Sequence, residues 1–135
     1  MKSLDTNVLA RFFIDDPDDP QAALQRPAAI AALSQPALVT VTVILELEWV
    51  MRGFYALPRA DILRILRGLL GIGHVTVEDR GAVLDALDLF AAGMDLADAL
   101  HLTRSKGATA FVTFDRGLAK RAQALGSSPA AELLE

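Results

Sequence analysis

Asp5 and Asp115 each stand where a predicted strand ends and a turn begins, after Met1-Lys2-Ser3-Leu4 and after Ala110-Phe111-Val112-Thr113-Phe114. In an open α/β sheet, ligands collect in the crevice beyond the carboxyl ends of the strands. An acid at that point of the first strand and of a late strand predicts one shared site. Glu46 and Asp98, on predicted helices in between, complete a set of four carboxylates. Oxygen donors of this kind suit Mg²⁺ or Mn²⁺. The chain has no Cys, which excludes a disulfide framework and a thiolate zinc site.

Each acid also has a purely structural explanation. Asp5 and Asp115 both precede helical patterns and suit the N-cap position. Asp95 and Asp98 read as cap and first-turn acid of one helix, in a capping-box-like spacing that also complements the helix dipole. On the residues alone the cap explanation prevails for Asp98. Glu46 resists it. Val43, Leu47, Val50 and Phe54 form an i, i+4, i+7, i+11 stripe expected to face the core. Position 46 lies about 60° from the centre of that stripe, so its carboxylate is expected to be partly buried and to need a partner or a metal. Glu48 is expected on the opposite, solvated side.

Other chemistry finds little support. His74 and His101 lack a partner at metal spacing, and no G-x-S-x-G serine is present. Gly71-Ile72-Gly73 lacks the third glycine and the preceding strand of a dinucleotide loop. Arg116, Lys120 and Arg121 put positive charge on the helix after Asp115, where Arg116 and Lys120 are possible contacts for an RNA backbone. Ordinary solvated surface explains the same charges.

The elements that must position these groups alternate. Strands are predicted at Lys2–Leu4, Leu38–Thr40, His74–Val77 and Ala110–Phe114. Helices are predicted through Val8–Phe13 and over Gln21–Leu33, Thr42 to about Tyr55, Arg59–Leu70, Asp79–Ala92, Asp95–Lys106 and Asp115–Leu125. Pro20 suits a first turn, and Gly71, Gly93, Gly107 and Gly126 mark ends. The residues after Ser128 carry no signal. Such alternation predicts an α/β fold with a parallel or mostly parallel sheet covered on both faces. At 135 residues a single domain over residues 1–135 with a real core is expected.

The formal charge of −4 weighs against a general nucleic-acid binder, since affinity for phosphate backbones is largely cationic. That objection weakens if several acids hold metal. No signal peptide is expected, because a basic-then-apolar start is missing. The longest apolar stretch, 37–51, includes Glu46 and Glu48 and is too short for a membrane span. The hydrophobic share of 53% predicts that some apolar surface serves a protein–protein interface.

Four short motifs occur in order: Leu4-Asp5-Thr6-Asn7, Leu45-Glu46-Leu47-Glu48-Trp49-Val50, Asp95-Leu96-Ala97-Asp98-Ala99-Leu100-His101 and Thr113-Phe114-Asp115. On this β/α pattern they resemble the PIN domain, and more narrowly the VapC-type ribonuclease toxins of bacterial toxin–antitoxin pairs. The resemblance implies a three-layer α/β/α sandwich with a mostly parallel central sheet. It makes Asp5, Glu46, Asp98 and Asp115 the catalytic, metal-binding acids. Thr6, Asn7 and Thr113 become supporting polar residues, with Asp95 secondary. It reverses the cap reading of Asp98.

The implied activity is a Mg²⁺- or Mn²⁺-dependent endoribonuclease cutting tRNA or ribosomal RNA. A water attacks the phosphodiester and leaves 5′-phosphate and 3′-hydroxyl ends. The implied setting is cytoplasmic, as a homodimer inhibited by a VapB-like antitoxin, with Phe12, Phe13, Trp49, Phe54 and Tyr55 as candidates for the antitoxin groove. Two alternatives stay open. A haloacid-dehalogenase-like phosphatase expects a second Asp where Asn7 stands. A catalytically inactive interaction module on the same fold has no use for Glu46 on an apolar face.

Overall fold

Val75 and Val77 are buried while Thr76 between them faces out, the period-two alternation of a strand with one covered face. The computed structural model describes residues 1–135. The chain divides into two compact units, Met1–Arg80 and Gly81–Glu135.

The first unit runs β1 (Lys2–Ser3), α1 (Thr6–Phe13), α2 (Pro20–Leu33), β2 (Ala37–Val39), α3 (Val41–Gly53), α4 (Arg59–Leu70) and β3 (Val75–Val77). Its strands pair in parallel in the order β1-β2-β3, with Lys2 beside Ala37 and Ala37 beside Val75. Parallel neighbours need crossovers, and the helical stretches supply them. Asp19 caps α2 by accepting from Gln21 N–H and Ala22 N–H, and Pro20 opens the helix where a missing N–H costs nothing. Pro27 inside α2 removes one helical bond. In α4 the buried Ile62, Leu66, Leu69 and Leu70 keep the i, i+4, i+7, i+8 spacing of a core face, and the helix spans the residues expected for it.

The second unit comprises α5 (Arg80–Ala91, whose first residue belongs to the first unit), α6 (Leu96–Thr103), β4 (Phe111–Thr113), α7 (Arg116–Leu125) and β5 (Ala131–Leu133). β4 and β5 pair in parallel, Phe111 beside Ala131 and Thr113 beside Leu133. β5 is the element that the sequence did not announce. α7 buries Leu118, Ala119 and Ala122 and stops at Gly126, whose φ of 64° is left-handed backbone. With seven helices and short strands in parallel pairs, the architecture is of the expected α/β class.

α3 corrects the sequence reading. Its buried residues are Val41, Ile44, Leu47, Glu48 and Met51, so the core row lies at i, i+3, i+6, i+7, i+10. Glu46 is exposed, roughly 160° from the centre of that row at 3.6 residues per turn, and Phe54 is 71% exposed. Glu48, expected in solvent, is 1% exposed. The cause is composition: apolar residues wrap most of this helix, so two rows compete to be the core face. Glu48 is accommodated on the winning row by Arg52 one turn on, whose Nε and Nη2 donate to its two carboxylate oxygens at 2.9 and 3.3 Å.

The start of α3 is also displaced. The N-cap is Thr40, not Thr42, and its hydroxyl contacts that of Thr42 rather than a helix amide. The Val41 N–H donates instead to Glu78 Oε1 at 3.0 Å, from just beyond β3.

Candidate functional site

In the first unit, Asp5 follows β1 and caps α1, its Oδ1 accepting from the Thr6 N–H at 2.8 Å. One oxygen caps, and the exposed carboxylate faces a cleft of about 330 Å³. Thr6, Asn7, Ala10 and Arg11 on α1, Glu46, Trp49 and Val50 on α3, and Asp19, Phe54 and Tyr55 line that cleft with it. Glu46 thus belongs to the cleft side of α3, not to its core side. A carboxylate on an exposed wall beside Asp5 replaces the buried one that periodicity suggested.

Thr6 is the unusual member. It is 4% exposed, and its Oγ1 is buried without a hydrogen-bond partner. Such a hydroxyl is costly unless something satisfies it. Asn7 is exposed at the same wall. Arg11 and Asp19 were not singled out from the sequence. Arg11 donates from Nε to Gln25 Oε1 at 3.1 Å and from Nη1 to the Tyr55 hydroxyl at 3.3 Å, which ties α1 to α2 and to the end of α3.

The second unit gathers the remaining acids. Asp95 caps α6, its Oδ2 accepting from the Asp98 N–H at 3.2 Å. Asp115 caps α7, accepting from the Leu118 N–H at 3.0 Å, and its own N–H donates to Thr113 Oγ1 at 2.9 Å. Thr113 thus orients the turn that presents Asp115. Gly117 keeps that turn open, since a Cβ there would stand 3.3 Å from Asp115 Oδ1.

Asp98 is half-buried. Burial first, then repulsion from Asp95 and Asp115, holds its carboxyl above the ordinary 3.8, while His101 and Arg121 pull the other way. Asp98 therefore feels both of the other acids. Arg116 and Lys120 are exposed on α7. His101, exposed on α6, stacks on Phe111 with ring centroids 6.2 Å apart.

The donors in each unit are carboxylates and hydroxyls, the set that hard divalent cations take. An orphaned Thr6 hydroxyl beside Asp5 fits such an ion, and the repulsion that Asp95 and Asp115 exert on Asp98 is of the kind a cation offsets. No three His, Asp or Glu side chains converge into a ready-made ligand set. No helix is long and apolar enough to cross a membrane.

A family model described as the PIN domain matches residues 3–124. No curated protein and no solved structure gives a significant match.

Proposed function

This chain belongs to the PIN-domain family, whose members are generally nucleases, and from that premise we propose that it is a metal-dependent endoribonuclease of the VapC toxin type. The observation that carries the reading is the cleft in which Asp5 and Glu46 stand beside the unsatisfied hydroxyl of Thr6. A phosphoaspartyl phosphatase is set aside by the family assignment and by Asn7 at the position where its general acid belongs. An inactive interaction module gives no reason for the orphaned hydroxyl and the carboxylates around it.

We assign Asp5, Glu46, Asp98 and Asp115 as the metal-holding acids. Thr113 orients Asp115 through the Asp115 N–H, and Asp95 fixes the first turn of α6 that carries Asp98. Thr6 and Asn7 complete the polar wall around Asp5. Mg²⁺ or Mn²⁺, when bound, supplies the charge that offsets these acids, polarises a phosphate and acidifies a water. The carboxylates hold and orient, while Asp98 must lose any proton that burial and its neighbours' repulsion encourage it to keep. The attacking oxygen comes from water, so the RNA 2′-hydroxyl is not consumed. Arg116 and Lys120 are assigned to the RNA backbone.

The toxin role, a VapB-like antitoxin as inhibitor, a homodimer, tRNA or ribosomal RNA as target and a cytoplasmic setting follow from the resemblance in the four motifs. The exposed apolar side chains Leu24, Ile30, Trp49 and Phe54 give such partners a surface.

The test is cleavage of total bacterial RNA with Mg²⁺ or Mn²⁺, and then with EDTA. Cleavage that stops with EDTA and leaves 5′-phosphate ends is expected. Cleavage that survives EDTA, or that leaves 2′,3′-cyclic phosphates, overturns the mechanism.

A further inference from the structure

The cleft that holds Asp5 and Glu46 has an aromatic wall that the proposed chemistry does not use. Trp49 is 61% exposed and Phe54 71% exposed, and both line the cleft with Glu46, Trp49 from α3 and Phe54 from the residue that ends it. Trp49 is three residues beyond Glu46, about 4.5 Å along the helix axis at 1.5 Å per residue. Phe54 lies edge-to-face against Tyr55, ring centroids 4.8 Å apart, and Tyr55 is anchored by Arg11. The far end of the wall is therefore held, while the indole face remains open.

The electrostatics of the cleft narrow the occupant. Asp5, Asp19 and Glu46 line it against one cation, Arg11, which is engaged by Gln25 and Tyr55. A phosphate backbone finds almost no cationic contact there, so affinity for a nucleic acid must come from another source. Stacking on an aromatic face is that source, and it accepts any base because every base has a π-face. An aromatic face one helical turn from a candidate metal-holding acid is where a nucleobase next to the cut phosphate would lie.

We propose that Trp49 is the platform on which the nucleobase adjoining the scissile phosphate of single-stranded RNA stacks. The assignment rests on the ribonuclease reading of the same cleft. It makes Trp49 a specificity-determining residue that binds substrate without holding metal. One stacked base contributes roughly a five- to 150-fold gain in affinity. Purines, with the larger face, bind more tightly than pyrimidines. An antitoxin segment covering these side chains competes with RNA for the indole.

Trp49 is the one tryptophan in the chain, so its fluorescence reports the contact directly. The first measurement titrates the full chain with single-stranded RNA hexanucleotides of A or of U. Ca²⁺ replaces Mg²⁺, since it takes the same oxygen donors in looser geometry, and the RNA is checked to be intact afterwards. Saturable quenching is expected, stronger for A than for U. The second measurement is Mg²⁺-dependent cleavage by Trp49→Ala, Trp49→Phe and Trp49→Leu, all at an exposed position where folding tolerates the change.

Trp49→Ala is expected to raise KM at least fivefold with kcat within about threefold, the pattern of lost ground-state binding. Trp49→Phe should recover most of the loss and Trp49→Leu little of it. Equal recovery by Leu makes the contact merely apolar and overturns the proposal. So does unquenched fluorescence with cleavage intact, which leaves the ribonuclease reading standing. Quenching by RNA with no cleavage by the unaltered chain does the reverse. If Trp49→Ala leaves KM within twofold and instead weakens capture of the antitoxin, the wall is a protein-docking face and the base platform is refuted.

Discussion

Glu46 and Glu48 are two residues apart on α3, and the structure gives them opposite fates. Glu46→Gln removes a negative charge from an exposed cleft wall. Its effect on stability should fall within about 0.5 kcal/mol, as for surface substitutions generally. Its effect on cleavage should be a loss on the order of 10²–10³, typical of removing one electrostatic contact that the reaction needs. Glu48→Gln does the converse. Glu48 is 1% exposed and pairs bidentately with Arg52, whose side chain is itself 54% exposed.

Because the guanidinium can turn to water, the full cost of stranding a buried charge does not apply. What is lost is a charge-assisted pair that Gln replaces with one neutral acceptor and a misplaced amide donor. That difference is about 1–2 kcal/mol. For a chain of this length it lowers Tm by about 3–7 °C. Cleavage per folded molecule should stay within about threefold. The assay is metal-dependent RNA cleavage and thermal melting of both variants, each at a temperature where circular dichroism shows it folded. An active Glu46→Gln beside a dead but fully stable Glu48→Gln would falsify the assignment of the two faces of α3, and with it the place of Glu46 in the site.

Further tests bear on the other groups. Asp98 holds its proton above the ordinary 3.8, so its stabilising contribution is full below that pH and is lost as pH rises through the folded value. Asp98→Asn should therefore melt higher than the unaltered chain at pH 7 in EDTA, with the gap closing towards pH 3.8, and Mg²⁺ should raise the Tm of the unaltered chain more than that of the variant; the opposite ordering rejects the crowded-acid picture. Thr6→Val and Thr103→Val each remove a buried hydroxyl that lacks a partner, recovering about 1 kcal/mol, but only Thr6→Val should also slow cleavage. Falling Tm in both variants would mean that the hydroxyls are satisfied after all. Light scattering on the isolated chain at micromolar concentration should show a dimer, and co-expression with the product of the neighbouring upstream gene should yield a complex on a sizing column. A clean monomer, or no complex, removes the support for the corresponding partner.

Most of the architecture is legible in local chemistry. α4 keeps one apolar row between Pro58 and Gly71, and its observed limits are the expected ones. Asp19-Pro20 announces α2, and Gly126 ends α7. The failures share one physical source. In α3 apolar residues occupy both long faces, and periodicity cannot tell a core row from a cleft row. The pairing of Glu48 with Arg52 at i+4 was the available clue, because an acid with a cation one turn away can be buried. β5 escaped because Ala131-Glu132-Leu133 is too short to show a pattern, and only its pairing with β4 makes it a strand. For the acids, Asp5, Asp95 and Asp115 are all helix caps, and a cap occupies one carboxylate oxygen and leaves the other free for other contacts.

The tie between Glu78 and the first amide of α3 makes that helix an element whose beginning is held from a different part of the chain. A helix end capped by its own Thr or Asp frays alone. This one opens only when the chain beyond β3 lets go, so amide exchange at its start and at β3 should rise and fall as a single cooperative unit. Glu46 and Trp49 ride on the turns just after that tie. The lifetime of the arranged cleft wall is therefore governed by a carboxylate that lines no part of it, and residue 78 is a remote point from which the wall can be loosened.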